Sequence, residues 1–406
     1  MFKHLFKLIW NKKKQNFLLI LEMLISFLVI FAVFTLMVYY YQNYKKPMGF
    51  DYENVWVANY SNALKTNDSD SLMQFYETLR KTVKSMPQVK EVSFSSSNVP
   101  LFQITNQNAI SYNGKQFFSV NFYQVEDSYK DVLNMKMLAG RWFSKEDVVT
   151  ANKSIVINNS LKEALFGSEN PIGKFTGDAV INGSAVGLGG GNNQNKMKVI
   201  GVVEDVKAKG DYAPAGIAVY RRLDTGAFHW VGKILIKVAP NADAAFEGRL
   251  YKTMANYMKN SNIEIEHLTN KRKSINYFSL VPMIVLLIVA GFLIINVALG
   301  LFGVLWYNIN KRRGEIGLRR AVGATGNSVS AQLVSEALIL ATLSLIIGSF
   351  FAIQFPLLNV FDLPAGVYLT ALVLAILFIY LLVLICSLYP GKQAAAIYPA
   401  VALHEE

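Results

Sequence analysis

The sequence has a single cysteine, Cys386, so no intramolecular disulfide can form and a thiolate metal site is argued against. Its four histidines, His4, His229, His267 and His404, are scattered without the i,i+4 spacing of a helical metal site, and no metal is expected. Charge is scarce as well: 17% of the 406 residues are Asp, Glu, Lys or Arg, where an ordinary soluble domain has about 25%. Acids are the rarer sign, 28 against 40 bases, for a net charge of +12. No nucleophile-elbow motif and no metalloprotease helix occur. The stretch Gly167–Phe175 superficially resembles a phosphate loop. It separates its glycines by five residues, however, and places Phe175 where Ser or Thr would hold magnesium. The glycine run 187–191 lacks the strand-loop-helix setting of a nucleotide site. No catalytic residue is expected, and an enzyme is the weakest reading.

What the chain has in quantity is apolar length. Four runs, 17–41, 277–307, 332–355 and 366–389, each reach the roughly 20 residues that cross a bilayer. The first could be a cleaved signal peptide, but its length and its ending in Tyr39, Tyr40 and Tyr41 favour a retained anchor. The turn from Pro356 to Gly366 holds Asp362 and no base. The fold class is therefore an integral membrane α-helical protein of four transmembrane helices, with a large domain, 48–273, inserted between helices 1 and 2.

The bases give an orientation. Lys3, Lys7, Lys12, Lys13 and Lys14 precede the first run without an acid, in the segment 1–16. Lys311, Arg312, Arg313, Arg319 and Arg320 crowd the loop 308–331 with only Glu315 for company. Bases flanking spans mark the cytoplasmic side. Segments 1–16, 308–331 and 390–406 are therefore expected inside and 48–273 outside. Lys271, Arg272 and Lys273, just outside the second span, run against this rule. Two acids fall within spans, Glu22 and Glu336. They either serve function or, being near the cytoplasmic face, reach the interface or pair with the basic loop. The net charge does not signal nucleic acid, since no aromatic-interleaved basic stripe occurs in 48–273.

The inserted domain reads as α+β. Alternation predicts strands at 53–60, 89–95, 233–238 and 263–267, and helical spacing predicts helices at 71–85 and 242–258. Two β-α-β units thus bracket an inserted second lobe with a short helix at 159–166, a strand at 197–203 and a loop at 187–193 expected to be mobile.

The most specific stretch is Asn310–Thr325, Asn-Lys-Arg-Arg-Gly-Glu-Ile-Gly-Leu-Arg-Arg-Ala-Val-Gly-Ala-Thr, followed by Val329, Gln332 and Glu336. It closely resembles the FtsX-type permease domain of ABC transporters. Met137–Ser144, Ser154–Lys174 and Val199–Val206 look like the MacB-type periplasmic core domain, and Tyr389–Leu403 resembles the family's closing segment, with His404 where arginine is common. The resemblance covers nearly the whole chain but lacks MacB's ATPase domain.

The resemblance implies that a short helix in 308–331, held to lipid headgroups by its bases, is the coupling element. Its residues are Arg313, Glu315, Gly317, Arg319, Arg320, Gly323, Ala324, Thr325 and Gln332. Gly323 and Gly326 would bracket a chain break, with Thr325 capping the next helix. The implied partners are a cytoplasmic ABC ATPase subunit that binds the ATP, a second permease copy or paralogue, membrane lipids and, for efflux, a periplasmic adaptor. No cofactor of its own is implied. MacB-like efflux is the first job to consider. Lipoprotein release of the LolC/LolE kind and FtsX-like control of wall hydrolases are alternatives. A membrane-anchored receptor is the rival from another class, and it would call for a larger cytoplasmic domain.

Overall fold

A computed structural model describes residues 13–60, 68–102, 106–148, 152–181, 184–186, 196–223, 225–259 and 261–398. The first lysines, the glycine-rich stretch 187–193 and His404 lie outside the described residues. The chain divides into two compact units, Asn43–Phe278 and the segments before and after it.

The elements run α1 (Lys13–Tyr44), β1 (Val55–Tyr60), α2 (Ser69–Lys84), β2 (Val89–Ser95), β3 (Gln107–Tyr112), β4 (Lys115–Val125), α3 (Tyr129–Val132), β5 (Met137–Gly140), β6 (Ser154–Asn158) and α4 (Asn159–Phe166). They continue through β7 (Phe175–Thr176), β8 (Ala179–Ile181), β9 (Ser184–Val186), β10 (Met197–Val203), β11 (Ala218–Arg222), β12 (Lys233–Val238), α5 (Ala244–Tyr257) and β13 (Ile263–His267). Four helices close the chain: α6 (Leu268–Lys311), α7 (Arg313–Ala321), α8 (Gly326–Leu357) and α9 (Ala365–Ala395).

In the unit Asn43–Phe278, β13, β1, β12 and β2 lie side by side in that order, each antiparallel to its neighbour. With α2 after β1 and α5 after β12, this is a split β-α-β arrangement of ferredoxin-like order. Strand alternation sends Trp56, Ala58, Ile234 and Ile236 to the face covered by Leu72, Tyr76, Phe246 and Leu250 of the two helices. Val55, Val57 and Leu235 go to the other face, against Tyr123, Tyr129 and Trp142. Burial on both sides accounts for the apolar stretches Val55–Ala58 in β1 and Ile234–Ile236 in β12.

The second lobe enters between β2 and β12, as expected, yet it is not a separate sheet. β4, β11, β6, β10 and β5 continue the same ladder, joined to the first lobe through the single pair Ser95↔Val125. Glu126 secures this seam by accepting from Phe94 N at 2.7 Å and from the Arg80 guanidinium. Beside β6, the Arg141 guanidinium grips Asp147 through Nη1 at 2.6 Å and Nη2 at 2.8 Å. These bonds, with Ser144 N and Ser154 Oγ, hold the Asp147 carboxyl down to about 2.

The other unit contains the bulk of four helices long and apolar enough to cross a membrane. Leu19, Met23, Phe27 and Ile30 of α1 pack against Ala337, Ala341 and Leu345 of α8 and Ala371, Ala375 and Ile379 of α9. Small residues at these positions let helix backbones approach where lipid offers no hydrophobic drive to associate.

Three features depart from the sequence reading. The helix of the second span begins at Leu268, so the outlying cations sit in its first turns. Two of the three are spoken for: Lys271 pairs with Glu266, and Arg272 holds Asp211 at 2.8 Å. Pro356 lies in the last turn of α8 rather than in the connection, and Pro390 lies inside α9, which runs on to Ala395. A proline forfeits one helical hydrogen bond, and near a helix end few such bonds remain to be lost.

Candidate functional site

The expected coupling residues gather around α7. Arg312 interrupts the helical path after α6, its N–H still reaching Asn308 O at 3.1 Å. Residues 313–321 then form a separate nine-residue helix with Ile316 and Gly317 buried. Ile316 packs with Ile309, Val329, Leu333 and Ala394, seating α7 on the ends of α6, α8 and α9.

After α7, Gly323 adopts φ +107°, a conformation open to glycine and strained for any residue with a Cβ. Thr325 then caps α8, its side chain accepting from Ser328 N at 3.3 Å. That bond satisfies one of the orphan N–H groups at the helix start.

The charged residues form a closed polar ring. Arg312 Nε lies 3.4 Å from Glu315, and Glu315 lies 2.6 Å from Arg319 Nη2. Arg319 Nη1 donates to Gln332 Oε1 at 3.0 Å, and Gln332 Nε2 donates to Glu336 at 3.3 Å. Arg312 Nη1 closes the circuit on Glu336 at 3.2 Å. Two guanidinium groups and two carboxylates cancel within it, and α7 is fastened to the first turns of α8. Outside the ring, Arg320 Nη1 donates to Ala395 O at 2.5 Å and Ile397 O at 2.7 Å. A cation on the carbonyl end of α9 also complements the helix dipole.

Arg319 and Arg320 are both engaged within the protein, Arg319 with Glu315 and Gln332 and Arg320 with the end of α9. Two apolar side chains stand exposed beside Glu315 and Arg319: Leu318 at 56% and Val322, just past the helix, at 83%. They border a groove of about 430 Å³ with Arg319, Ala324, Ser328, Val329 and Gln332.

Arg312 is the site residue the sequence reading missed, although its i,i+3 spacing to Glu315 was a visible signal. The two acids within spans part company. Glu336 is the ring's anchor, whereas Glu22 packs on α6, where a Cβ added at Gly300 would come 2.8 Å from its Oε2. Among the described residues, no group of three His, Cys, Asp or Glu side chains could hold a metal ion. Lys174 of the phosphate-loop look-alike is paired with Glu169 at 2.6 Å.

Comparison with known proteins gives two family matches. The MacB-like periplasmic core domain matches residues 17–250, and the FtsX-like permease C-terminal domain matches residues 280–399. The macrolide export ATP-binding/permease protein MacB of Aggregatibacter actinomycetemcomitans is 25% identical over 242 residues, 58% of this chain and 35% of that protein. The ABC transporter permease YvrN of Bacillus subtilis is 23% identical over 344 residues, 80% of this chain and 78% of that one. The chain thus spans well under half the length of the first MacB relatives it matches. Among solved structures, the periplasmic region of MacB from Actinobacillus actinomycetemcomitans aligns over 58% of this chain and 98% of its own, at 18% identity and a TM-score of 0.38.

Proposed function

The chain belongs to the MacB-like, FtsX-type family of ABC transporter permeases, and from that premise we propose that it is the membrane subunit of a mechanotransmitting transporter, without catalytic activity of its own. A separate ATPase subunit hydrolyses ATP on the side where the bases cluster, and residues 48–273 do mechanical work on the other. Segments 1–16, 308–331 and 390–406 are cytoplasmic in this reading.

The observation that carries the proposal is the fixation of α7. A helix bolted to α6, α8 and α9 by a neutral polar ring and an apolar seat transmits force without yielding. Its exposed Leu318 and Val322 offer a partner an apolar knob beside a groove. Desolvating the apolar part of that surface favours docking, with the paired Glu315 and Arg319 as its polar rim. ATP-driven closure of two ATPase subunits would push α7, and α6 would carry the movement along its 44 residues toward β13.

A second copy or a paralogue completes the transporter. Ile288, Phe292, Ile295 and Leu299 of α6 form an exposed apolar stripe at helical spacing that fits such a partner. The transported class is taken to be that of MacB-like efflux, supported by the match across residues 17–250, with a periplasmic adaptor as a further partner.

The test is complex formation with the cognate ATPase in detergent. Leu318→Glu and Val322→Glu, placed on the exposed surface, should abolish co-elution while leaving membrane insertion normal. Full co-elution of the double variant would refute docking at α7.

A further inference from the structure

Six residues, Lys207–Tyr212, lie between the end of α1 and the first turns of α6 and bond to both. Lys207 is buried, and its Nζ donates only to backbone carbonyls: Asn43 at 2.7 Å, Asp211 at 2.6 Å and Lys46 at 3.3 Å. Two of these belong to the end of α1 and the chain just past it, where carbonyls lack helical partners and a cation complements the helix dipole. Burial pushes the Lys207 ammonium down from its ordinary range, and the Asp211 charge opposes that shift. Tyr212 adds a stacked contact with Tyr44, ring centroids 6.0 Å apart.

The other side of the segment holds α6. Asp211 receives Arg272 Nε at 3.0 Å and Nη2 at 2.8 Å, and Asn276 Nδ2 at 2.6 Å. Asn276 Oδ1 in turn accepts from Asp211 N at 2.9 Å. Arg272 Nη1 also reaches the Tyr52 hydroxyl at 2.5 Å, with the guanidinium 4.2 Å from that ring's centre. Gly210, at φ +89°, makes the approach possible: a Cβ there would come 2.6 Å from Asn276 Oδ1 and 2.8 Å from Ile275 Cγ2. The cation bound to one helix and the anion bound to the other are four residues apart, and Lys207 Nζ bonds directly to the carbonyl of Asp211.

We propose that Lys207–Tyr212 is a yoke that joins the domain-side ends of α1 and α6, so that displacement of one is imposed on the other. Buried charge pairs of this kind are weak contributors to net stability but strict about geometry, since removing one member strands its partner. In a transporter that works by moving the domain, which is the reading this inference rests on, the yoke turns the motion of α6 into a concerted motion of both connections. Lys207, Asp211 and Arg272 are positioning residues in this scheme.

The test measures amide hydrogen exchange on the full chain in nanodiscs, with Lys207→Met and Asp211→Asn. Each variant touches one side of the yoke directly. The expectation is that each raises exchange at both 43–48 and 268–276 by about tenfold, leaving Lys233–Val238 unchanged. Arg272→Lys keeps the charge but loses the two-pronged bond, and gives the same reading if Asp211→Asn does not fold. Loosening confined to the end each variant touches would overturn the proposal, as would loosening spread through the whole domain. In complex with the ATPase, the variants should retain ATP hydrolysis within about twofold while losing transport, a loss of about 1.4 kcal/mol of coupling for each factor of ten. Retained transport would also overturn it. If the ATPase fails to bind the unmodified chain, the proposed function fails, but the exchange measurement still decides the yoke.

Discussion

Arg312 Nη1 lies 3.2 Å from Glu336 Oε1, tying the point where α6 gives way to α7 to the third turn of α8. The pairing explains how an acid can sit in the apolar run 332–355: its charge is matched by a base from the adjoining loop, not left to the membrane. Arg312→Ala should strand Glu336 and open the ring, costing about 1–3 kcal/mol locally. Exchange across Arg313–Ala321 should rise about tenfold, whereas Lys311→Ala, outside the ring, should change nothing.

Gly323 and Gly314 make a controlled comparison. Neither has an atom within 4 Å of an added Cβ, but only Gly323 has a positive φ, +107°. Gly323→Ala should therefore cost about 1–2 kcal/mol through backbone strain alone, while Gly314→Ala, inside α7, should gain up to about 1 kcal/mol. Thermal denaturation of the ATPase-bound chain should rank them in that order. Equal effects would indicate that the backbone at 323 is not constrained.

Asp147 supplies a pH dependence. Its carboxyl is held at about 2 by Arg141, below the ordinary 3.8, so the native state binds the proton less readily than the unfolded chain. The resulting stability, on the order of 2 kcal/mol, is present above about pH 4 and lost as pH falls toward 2. Asp147→Asn should lower the stability of the domain at pH 7 and make no difference near pH 2, as read by denaturant melts monitored through Trp142.

The four spans were legible because long apolar runs have few other physical explanations. The strands of the first lobe were legible because β-α-β spacing survives burial on both faces. The continuity of the sheet was not, since it depends on one pair, Ser95↔Val125, 30 residues apart and marked by no pattern. The ring was half visible. Its local steps, Arg312 to Glu315 to Arg319 and Gln332 to Glu336, follow i,i+3 and i,i+4 spacing. The step from Arg319 to Gln332 depends on the turn through Gly323 and could not be read from spacing. Pro356, assigned to the outer turn, falls in the last turn of α8, where proline is tolerated.

Orientation is open to a direct check. Ser69→Cys and Ser328→Cys, each in a Cys386→Ser background, should differ on intact spheroplasts, an impermeant thiol reagent labelling the first and sparing the second until lysis. Equal labelling of both would invert or abolish the assignment that places 48–273 outside.

The central claim is that events at α7 are transmitted to the domain through α6. Hydrogen exchange at Leu268–Asn276, measured on the ATPase-bound chain with and without a non-hydrolysable ATP analogue, tests it most directly. The account predicts that the analogue changes exchange there by about threefold or more, although the segment lies at the far end of the helix from the docking surface. Unchanged exchange across Leu268–Asn276, with the ATPase bound stoichiometrically and occupied by the analogue, would contradict it.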